Sequence, residues 1–432
     1  MRFGSKSLPV VIATLFVNLT ALGAKADEPP LRLDLDRCVE MALEVNVSVL
    51  RAGYDLDIAK NSVITSASTI LPTVGVSASR SSSPAVGGVI ISPTSKRSYT
   101  TSLYFQEQVT VGGVIGVFES LSSKRASDHN LRQVRQDVSY DAKQKYLEVL
   151  KTERLMAVRR EALDLSQRRL DKAQALVDVG SAVKSDVLRA QVEVSRNELE
   201  LISATNALRL AETDLRHFLA ISDDVDLELE DILETKEVDY PLEYALSEAT
   251  SKRPDIGIGS EALGAARAAV WRERSGWLPY LSINGDYRWF DTEAPDGLGD
   301  VWDDSNWYWT VYGAVDIFDG LGTFSRVRSA KASRKSAEQG LLQLRRDAAL
   351  AVKRAFYNLE EAGQRVKVSG ETVGLAEEEL RLAEERFRLG GATMLEQIDS
   401  QVALSEARTS YVEALYDYLL SQAELVRAMG KD

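Results

Sequence analysis

The sequence contains a long internal repeat, in which two stretches match without gaps at a constant spacing of 210 residues. A second register of 207 residues applies upstream, where a Leu-Pro step at 71–72 recurs at 278–279. A repeat of this length indicates two structurally equivalent halves rather than a short-period solenoid. Paired positions at the 210-residue spacing include Gly180 with Gly390, Gln191 with Gln401, and Leu215 with Leu425.

The first 26 residues have the pattern of a secretory signal peptide. Arg2 and Lys6 precede an apolar run over 8–22, and the segment closes on Ala24-Lys25-Ala26. The mature chain then divides into a first repeat at 27–239 and a second at 240–432. Removing three basic residues and no acid changes the formal charge from -13 to about -16. A chain this acidic is a poor partner for nucleic acid.

Cys38 is the single cysteine, so no disulfide can form within the chain. The charged Asp36 and Arg37 just before it do not fit a lipid-anchor signal, which favours an ordinary helix residue. No mature segment approaches the ~20 apolar residues of a membrane-spanning helix. If the chain spans a bilayer, we expect it to do so with strands.

Each half contains a predicted antiparallel helical hairpin. In the second half, apolar residues from Val352 to Phe387 recur at alternating steps of three and four, which predicts a coiled-coil helix. That helix can run without proline from Gly322 to Arg388, roughly 100 Å at 1.5 Å per residue. After Gly390-Gly391 a return helix follows, so the hairpins lie at about 322–429 and, in the first half, 114–219.

Four segments alternate with a period of two and are predicted as strands, at about 73–81, 98–110, 280–290 and 306–317. In 281–289 apolar and polar residues alternate, with Gly285 as the exception on the apolar face. Each segment approaches the ~10 residues that cross a membrane when tilted. The fold class is therefore mainly α with a transmembrane β part.

An isolated four-stranded sheet has two unpaired edges, and each unmatched backbone group in hydrocarbon costs several kcal/mol. The sheet is expected to close with copies of itself. Two chains give an eight-stranded barrel with a packed interior, whereas three give twelve strands and a lumen. Asn284, Asp286, Arg288 and Asp316 on the polar face favour the lumen, and hence a homotrimer.

Trp289, Trp307 and Trp309 lie near the strand ends closest to the predicted loop at 291–306. Aromatic rings at this position are typical of the belt that contacts lipid headgroups. The alternative is a sugar-binding or core cluster. The belt is favoured because Trp307 and Trp309 share an alternating face with Val311.

Taken together, these features resemble the TolC family of outer-membrane efflux and secretion channels. The resemblance rests on the duplicated plan, the two Leu-Pro steps, Arg253-Pro254-Asp255, and glycine-led tips followed by Ser185-Asp186 and by 396–399. It implies a trimer with a twelve-stranded barrel in the outer membrane of a Gram-negative bacterium and a twelve-helix periplasmic tunnel. It also implies a periplasmic adaptor and an inner-membrane pump as partners, in tripartite efflux or type I secretion, without chemistry on the substrate.

The family resemblance assigns Glu396 and Asp399 to paired acidic rings at the periplasmic aperture. The two residues are three apart on the return helix and project from one face. In a trimer they would form stacked rings that attract cations and repel anions. The alternative is a solvated helix face.

Two further groups of residues match family positions. Ser185, Asp186, Phe387 and Arg388 fall where some relatives hold the entrance closed, although Phe387 has no hydroxyl and the expected basic position is Ala392. Lys184 and Arg388 are the available basic replacements.

The tips, which are the turns that join the two helices of each hairpin, are expected to contact the adaptor, or alternatively only to make the turns. The tip residues are Gly180, Ser181, Ala182, Gly390, Gly391 and Ala392.

Catalytic, metal and cofactor sites are not predicted. His129 and His217 are the only histidines and lie far apart, and Cys38 has no partner residue for nucleophilic catalysis. The chain is therefore not expected to be an enzyme. The main rival interpretation is a soluble periplasmic coiled-coil scaffold or adaptor protein. The sequence identifies neither the cargo nor the particular pump.

Overall fold

The computed structural model describes residues 31–83, 96–180, 183–231, 240–291, 293 and 306–431. The predicted signal peptide at 1–26 lies outside these residues. The elements in the first half are β1 (Leu31–Leu33), α1 (Leu35–Val45), α2 (Val47–Ser68), β2 (Thr73–Ser83), β3 (Lys96–Val109), α3 (Val111–Asp178), α4 (Lys184–Phe218) and β4 (Leu227–Leu229). The second half contains α5 (Leu242–Lys252), α6 (Pro254–Arg274), a 3-10 turn (Ser275–Trp277), β5 (Tyr280–Asp291), β6 (Asn306–Ala314), α7 (Gly322–Arg388) and α8 (Met394–Ala428).

The predicted long helices are present. α3 has 68 residues and α7 has 67, so each extends roughly 100 Å. Thr110 caps α3 by accepting a hydrogen bond from the backbone N–H of Gly113, at 2.9 Å. On α7 the predicted apolar seam faces inward. Its buried members are Val352, Ala355, Leu359, Ala362, Ala376, Leu380 and Ala383.

The four strands β2, β3, β5 and β6 form one antiparallel sheet in that order. β2 and β6 are its edges within the chain. The prediction of a strand over 306–317 is too long, because β6 ends at Ala314 and Ile317 is 99% exposed. Asp316 therefore lies beyond β6, outside the polar face to which the sequence assigned it. Beyond it, Asp319 accepts a hydrogen bond from the backbone N–H of Thr323 and begins the turn into α7.

A second, two-stranded parallel sheet was not predicted. It pairs Leu31 with Leu227 near the base of the first hairpin. Tyr146 of α3 is fully buried, and its hydroxyl donates toward the carbonyl oxygens of Leu33, at 3.0 Å, and Glu230, at 2.6 Å. Burial raises the pKa of this hydroxyl, which therefore stays protonated and able to donate.

The largest core cluster surrounds this contact and joins α1 to both helices of the first hairpin. Cys38 is 0% exposed within it, and burial raises the pKa of its thiol to about 12. A thiol of that pKa stays protonated at neutral pH and is unreactive as a nucleophile. Cys38 acts here as a small core residue.

Candidate functional site at the helical tips and the sheet

The second tip is a glycine turn that closes the C-terminal end of α7. Gly390 has a φ of 77°, in the left-handed region, and its N–H donates to Phe387 O at 3.1 Å. The N–H of Gly391 donates to Arg386 O at 2.7 Å. These two bonds form a Schellman motif, which satisfies carbonyls left free at the helix end.

The first tip has the same geometry at its leading residue. Gly180 has a φ of 75°, and its N–H donates to Val177 O at 2.9 Å. The predicted contact residues Ser181 and Ala182 lie outside the described residues. The positive φ at 180 and 390 therefore favours glycine at both positions, whether or not a partner protein binds there.

Gly391 has no such reason, because its φ is not positive and an added Cβ would meet only Arg386 O, at 3.6 Å. This contrast separates the two proposed roles of the tip. We expect Gly390→Ala to destabilise the tip by about 1–2 kcal/mol, the cost of placing an L-residue in the left-handed region. Gly391→Ala should leave stability unchanged. Thermal unfolding of the two variants, compared with wild type, checks this difference.

The return helix α8 begins with the N-cap residue Thr393. The side-chain oxygen of Thr393 accepts from the backbone N–H of Glu396 at 3.2 Å, and the Glu396 carboxylate lies 3.4 Å from the Thr393 hydroxyl. Arg386 of α7 adds an ion pair to Glu396 at 3.4 Å and donates to Gly391 O at 3.1 Å. This stabilising role of Glu396 at the tip was not predicted, although the Thr-x-x-Glu spacing at 393–396 is a usual signal of a helix N-terminus.

Glu396 and Asp399 are both exposed, while Gln397, Ile398 and Ser400 between and beside them are buried. The two carboxylates therefore face away from the packed side of α8, as their spacing predicts. Asp399 makes no ion pair within the described part of the chain. Glu396 stabilises the tip of its own chain, whereas Asp399 leaves its full charge unpaired.

The four predicted gate residues occupy different environments. Ser185 is exposed and Asp186 is half-buried in the first turn of α4. Phe387 packs against a cluster formed by α3, α4 and α8, and Lys172 lies 5.0 Å from its ring centre. Arg388 lines a cleft between α3 and α7. Phe387 therefore joins the two hairpins of one chain, and the structure does not bring these four side chains into one contact.

The sheet has two chemically different faces. The strand register places Val76, Leu103, Tyr287 and Trp307 side by side on one face. The opposite face carries Ser, Thr, Asn and Gln side chains together with aromatic hydroxyls and charges. Members of that polar face include Ser77, Ser102, Gln106, Asn284, Asp286, Arg288, Tyr308 and Thr310.

Four aromatic rings pack together on the apolar face of the sheet, those of Phe105, Tyr287, Trp307 and Trp309. The rings of Trp307 and Trp309 stack 6.1 Å apart at an angle of 5°, and both side chains are exposed. The Trp309 ring lies over Gly285, where an added Cβ would come within 2.6 Å of it. This contact explains the glycine that interrupts the apolar alternation. Trp289 is only 4% exposed, so it does not present its ring at the surface of the chain as Trp307 and Trp309 do.

No group of histidine, cysteine, aspartate and glutamate suited to a metal ion occurs among the described residues. The ring of His129 packs on Gly257, where a Cβ would come within 2.5 Å of it. Within the same part of the chain, no helix combines the length and the apolar character needed to cross a membrane.

The fold and these sites define a duplicated subunit, in which each half contributes two strands of a two-faced sheet and one long helical hairpin. The family model described as outer membrane efflux protein matches residues 38–220 and 245–431, once in each half. The chain therefore belongs to the outer membrane efflux protein family. Membership confirms the predicted fold class and the outer-membrane location, and it agrees with the expectation of a protein that is not an enzyme.

Individual relatives are distant in sequence but close in fold. The outer membrane efflux protein BepC of Brucella suis is 25% identical over 308 residues, which are 71% of this chain and 66% of BepC. The outer membrane protein TolC of Escherichia coli is 21% identical over 314 residues, which are 68% of this chain and 63% of TolC. These two sequence matches span slightly less than two thirds of the length of BepC and of TolC. The crystal structure of the Campylobacter jejuni CmeC outer membrane channel superposes with a TM-score of 0.80 at 18% identity, covering 92% of this chain and 85% of CmeC.

Proposed function

We propose that three copies of this chain form a channel in the outer membrane, which exports substrates that reach it from the periplasm or from an inner-membrane pump. The single observation that carries the proposal is the sheet, with one apolar face, one polar face and two unpaired edges. Pairing β2 of one chain with β6 of the next satisfies those edges. Three chains of four strands give a twelve-stranded barrel whose polar face lines a lumen.

The helices support assembly with further copies. On α7, exposed apolar residues recur every seven positions, as expected for a stripe that packs against another helix. A single chain leaves these side chains in water, and neighbouring copies in a twelve-helix tunnel would cover them. The residues of this stripe are Val368, Leu375 and Leu382, and Leu389 continues it at the C-cap just past the end of the helix.

The exposed carboxylates of Glu396 and Asp399 fit the periplasmic aperture of such a tunnel. Three copies would place six carboxylates close to one axis, where their field favours cations over anions. The tips at Gly180 and at 390–392 fit the contact with a periplasmic adaptor, because Gly391 leaves the turn unobstructed by a side chain. Ser185, Asp186, Phe387 and Arg388 remain proposed contacts of the closed entrance. A soluble coiled-coil scaffold would need neither the two-faced sheet nor its exposed tryptophans.

Disulfide crosslinking between edge strands tests the assembly. In a Cys38→Ala background, Thr310→Cys on β6 is combined in turn with Ser77→Cys, Ser79→Cys and Ser81→Cys on β2, all on the polar face. We expect at least one pair to give covalent dimers and trimers on a non-reducing gel of outer membranes. The series should stop at three chains, because a closed ring has no further edge.

Ser102→Cys with Thr310→Cys is the matched control. Ser102 lies on β3, which is paired on both sides within its own chain, so this pair should give no product between chains. A series that stops at two chains would indicate the eight-stranded alternative. Protein released by osmotic shock, without any crosslinked species, would contradict the channel.

A further inference from the structure

A basic cleft of about 570 Å³ opens where α3, α7 and α8 meet, a few turns from the second tip. Its lining carries two carboxylates, those of Glu384 and Glu385, so it has a net charge of +3 in a chain whose formal charge is -13. Such a concentration of positive charge in an acidic protein favours an anionic ligand. The basic residues of the lining are Arg168, Arg169, Lys172, Arg381 and Arg388.

Arg169 is the innermost of these residues and is only 6% exposed. Its Nη1 atom is buried and has no hydrogen-bond acceptor among the described residues. The nearest carboxylate oxygen, Oε1 of Glu384, lies 3.9 Å from Nη2, beyond hydrogen-bond distance. Burial lowers the pKa of the guanidinium, while Glu384 and Glu193 oppose the shift, and arginine remains charged. A buried charged N–H without an acceptor is costly, and a bound oxyanion removes that cost.

The other basic side chains divide into paired and unpaired groups. Arg168 pairs with Asp164 at 2.6 Å, and Arg381 pairs with Glu378 at 2.6 Å. Lys172 and Arg388 have no carboxylate within 4.0 Å in the described part of the chain, and both are exposed at the mouth of the cleft. One buried and two exposed cations are thus available to a ligand.

The floor of the cleft is also polar. Gln397, at the start of α8, is 4% exposed, and its Oε1 atom has no hydrogen-bond partner among the described residues. Rotation of the amide by about 180° would present its NH₂ donor in place of this oxygen. The duplication of the chain does not repeat the basic residues of this cleft. At the 210-residue spacing, Glu378 and Glu379 stand where the first half has Arg168 and Arg169.

We propose that this cleft binds one small polyvalent oxyanion per chain, of the phosphate or tricarboxylate type. Arg169 Nη1 is the inner donor, and Lys172 and Arg388 close over the ligand at the mouth. The bound anion joins α3 of the first hairpin to α7 and α8 of the second, and so stabilises the relative position of the two tips. This ligand site is independent of transport through the proposed channel.

Titration calorimetry of the purified mature protein in detergent tests the site, with sodium phosphate and sodium citrate as separate probes in a chloride-free buffer of low ionic strength. We expect saturable binding with one site per chain for at least one probe. Arg169→Met should weaken that binding by at least about tenfold, because it removes a charge-assisted hydrogen bond. Arg160→Gln, on the same helix and exposed, removes the same charge and should leave affinity unchanged.

The double variant Lys172→Gln/Arg388→Gln provides a second test, since both side chains are exposed at the mouth of the cleft and their removal leaves the buried Arg169 in place. It should also weaken binding by at least about tenfold. Saturation by citrate alone would assign a carboxylate ligand, and saturation by phosphate alone a phosphate. Absence of saturable binding of both probes to the wild type, or equal affinity in Arg169→Met and Arg160→Gln, would overturn the proposal.

Discussion

Replacing Val311 by lysine is expected to abolish the assembled protein in the outer membrane. Val311 lies in the middle of β6, pairs with Ile283 on the apolar face and is 65% exposed in the single chain. A lysine facing lipid near the bilayer centre costs about 2–4 kcal/mol, and a trimer carries three copies, so the total approaches roughly 6–12 kcal/mol. That cost is comparable to the whole stability of a typical folded domain.

The measurement is the amount of heat-modifiable trimer in the outer-membrane fraction. Thr310→Lys is the matched control, because the neighbouring residue on the same strand belongs to the opposite, polar face. It should assemble at nearly the wild-type level. Equal trimer levels in the two variants would show that the face containing Val311 does not contact lipid, and the proposed barrel would then be wrong.

Neutralising the two exposed carboxylates at the start of α8 is expected to reduce cation selectivity strongly. In the double variant Glu396→Gln/Asp399→Asn, a trimer loses six negative charges around one aperture. We expect the cation preference in single-channel recordings to fall by roughly tenfold, the lower end of the range for electrostatic focusing. Block by divalent cations should weaken in parallel.

The single variants should differ, because the structure gives the two carboxylates different partners. Glu396 is paired with Arg386, whereas Asp399 has no ion pair among the described residues. We therefore expect Asp399→Asn to account for most of the loss of selectivity. The Thr393 cap bonds to the backbone N–H of residue 396, which glutamine retains, so helix stability should be maintained.

Glu198→Gln provides the control, since this exposed carboxylate lies on α4, more than three turns from the start of the helix, and its loss removes one charge per chain, as each single variant does. Its selectivity should match the wild type. If Glu396→Gln/Asp399→Asn also retains wild-type selectivity and divalent block, the two residues are a solvated helix face and not an aperture.

Much of the fold was predictable because helices and strands have different periods. The seam on α7 repeats at three and four residues and the strands repeat at two, so local sequence identifies both element types and their buried faces. The pairing of β1 with β4 was not predictable. Each strand has only three residues, too short for a periodic pattern, and Leu31 and Leu227 lie 196 positions apart.

Some features of the candidate sites were likewise predictable from local sequence, and others depend on tertiary packing. The exposure of Glu396 and Asp399 on one helix face follows from their spacing, and the glycine turns follow from the repeat. The ion pair between Arg386 and Glu396 depends on how α7 meets α8, so spacing alone does not reveal it. Gly285 broke the strand pattern in the sequence, and only its contact with the Trp309 ring explains it.

The sequence by itself determined the duplicated plan, the type of each long element and the chemical character of its faces, because these depend on neighbours within a few residues. The tertiary structure decided which charges are satisfied and which are not. In the sequence, Arg169 is one of many charged residues on a long helix. The packing of α3 beside α7 and α8 buries it, and its Nη1 atom has no hydrogen-bond acceptor among the described residues. Burial of that kind is set by contacts between helices about 200 residues apart in the chain, such as Arg169 with Glu384, which no local period encodes.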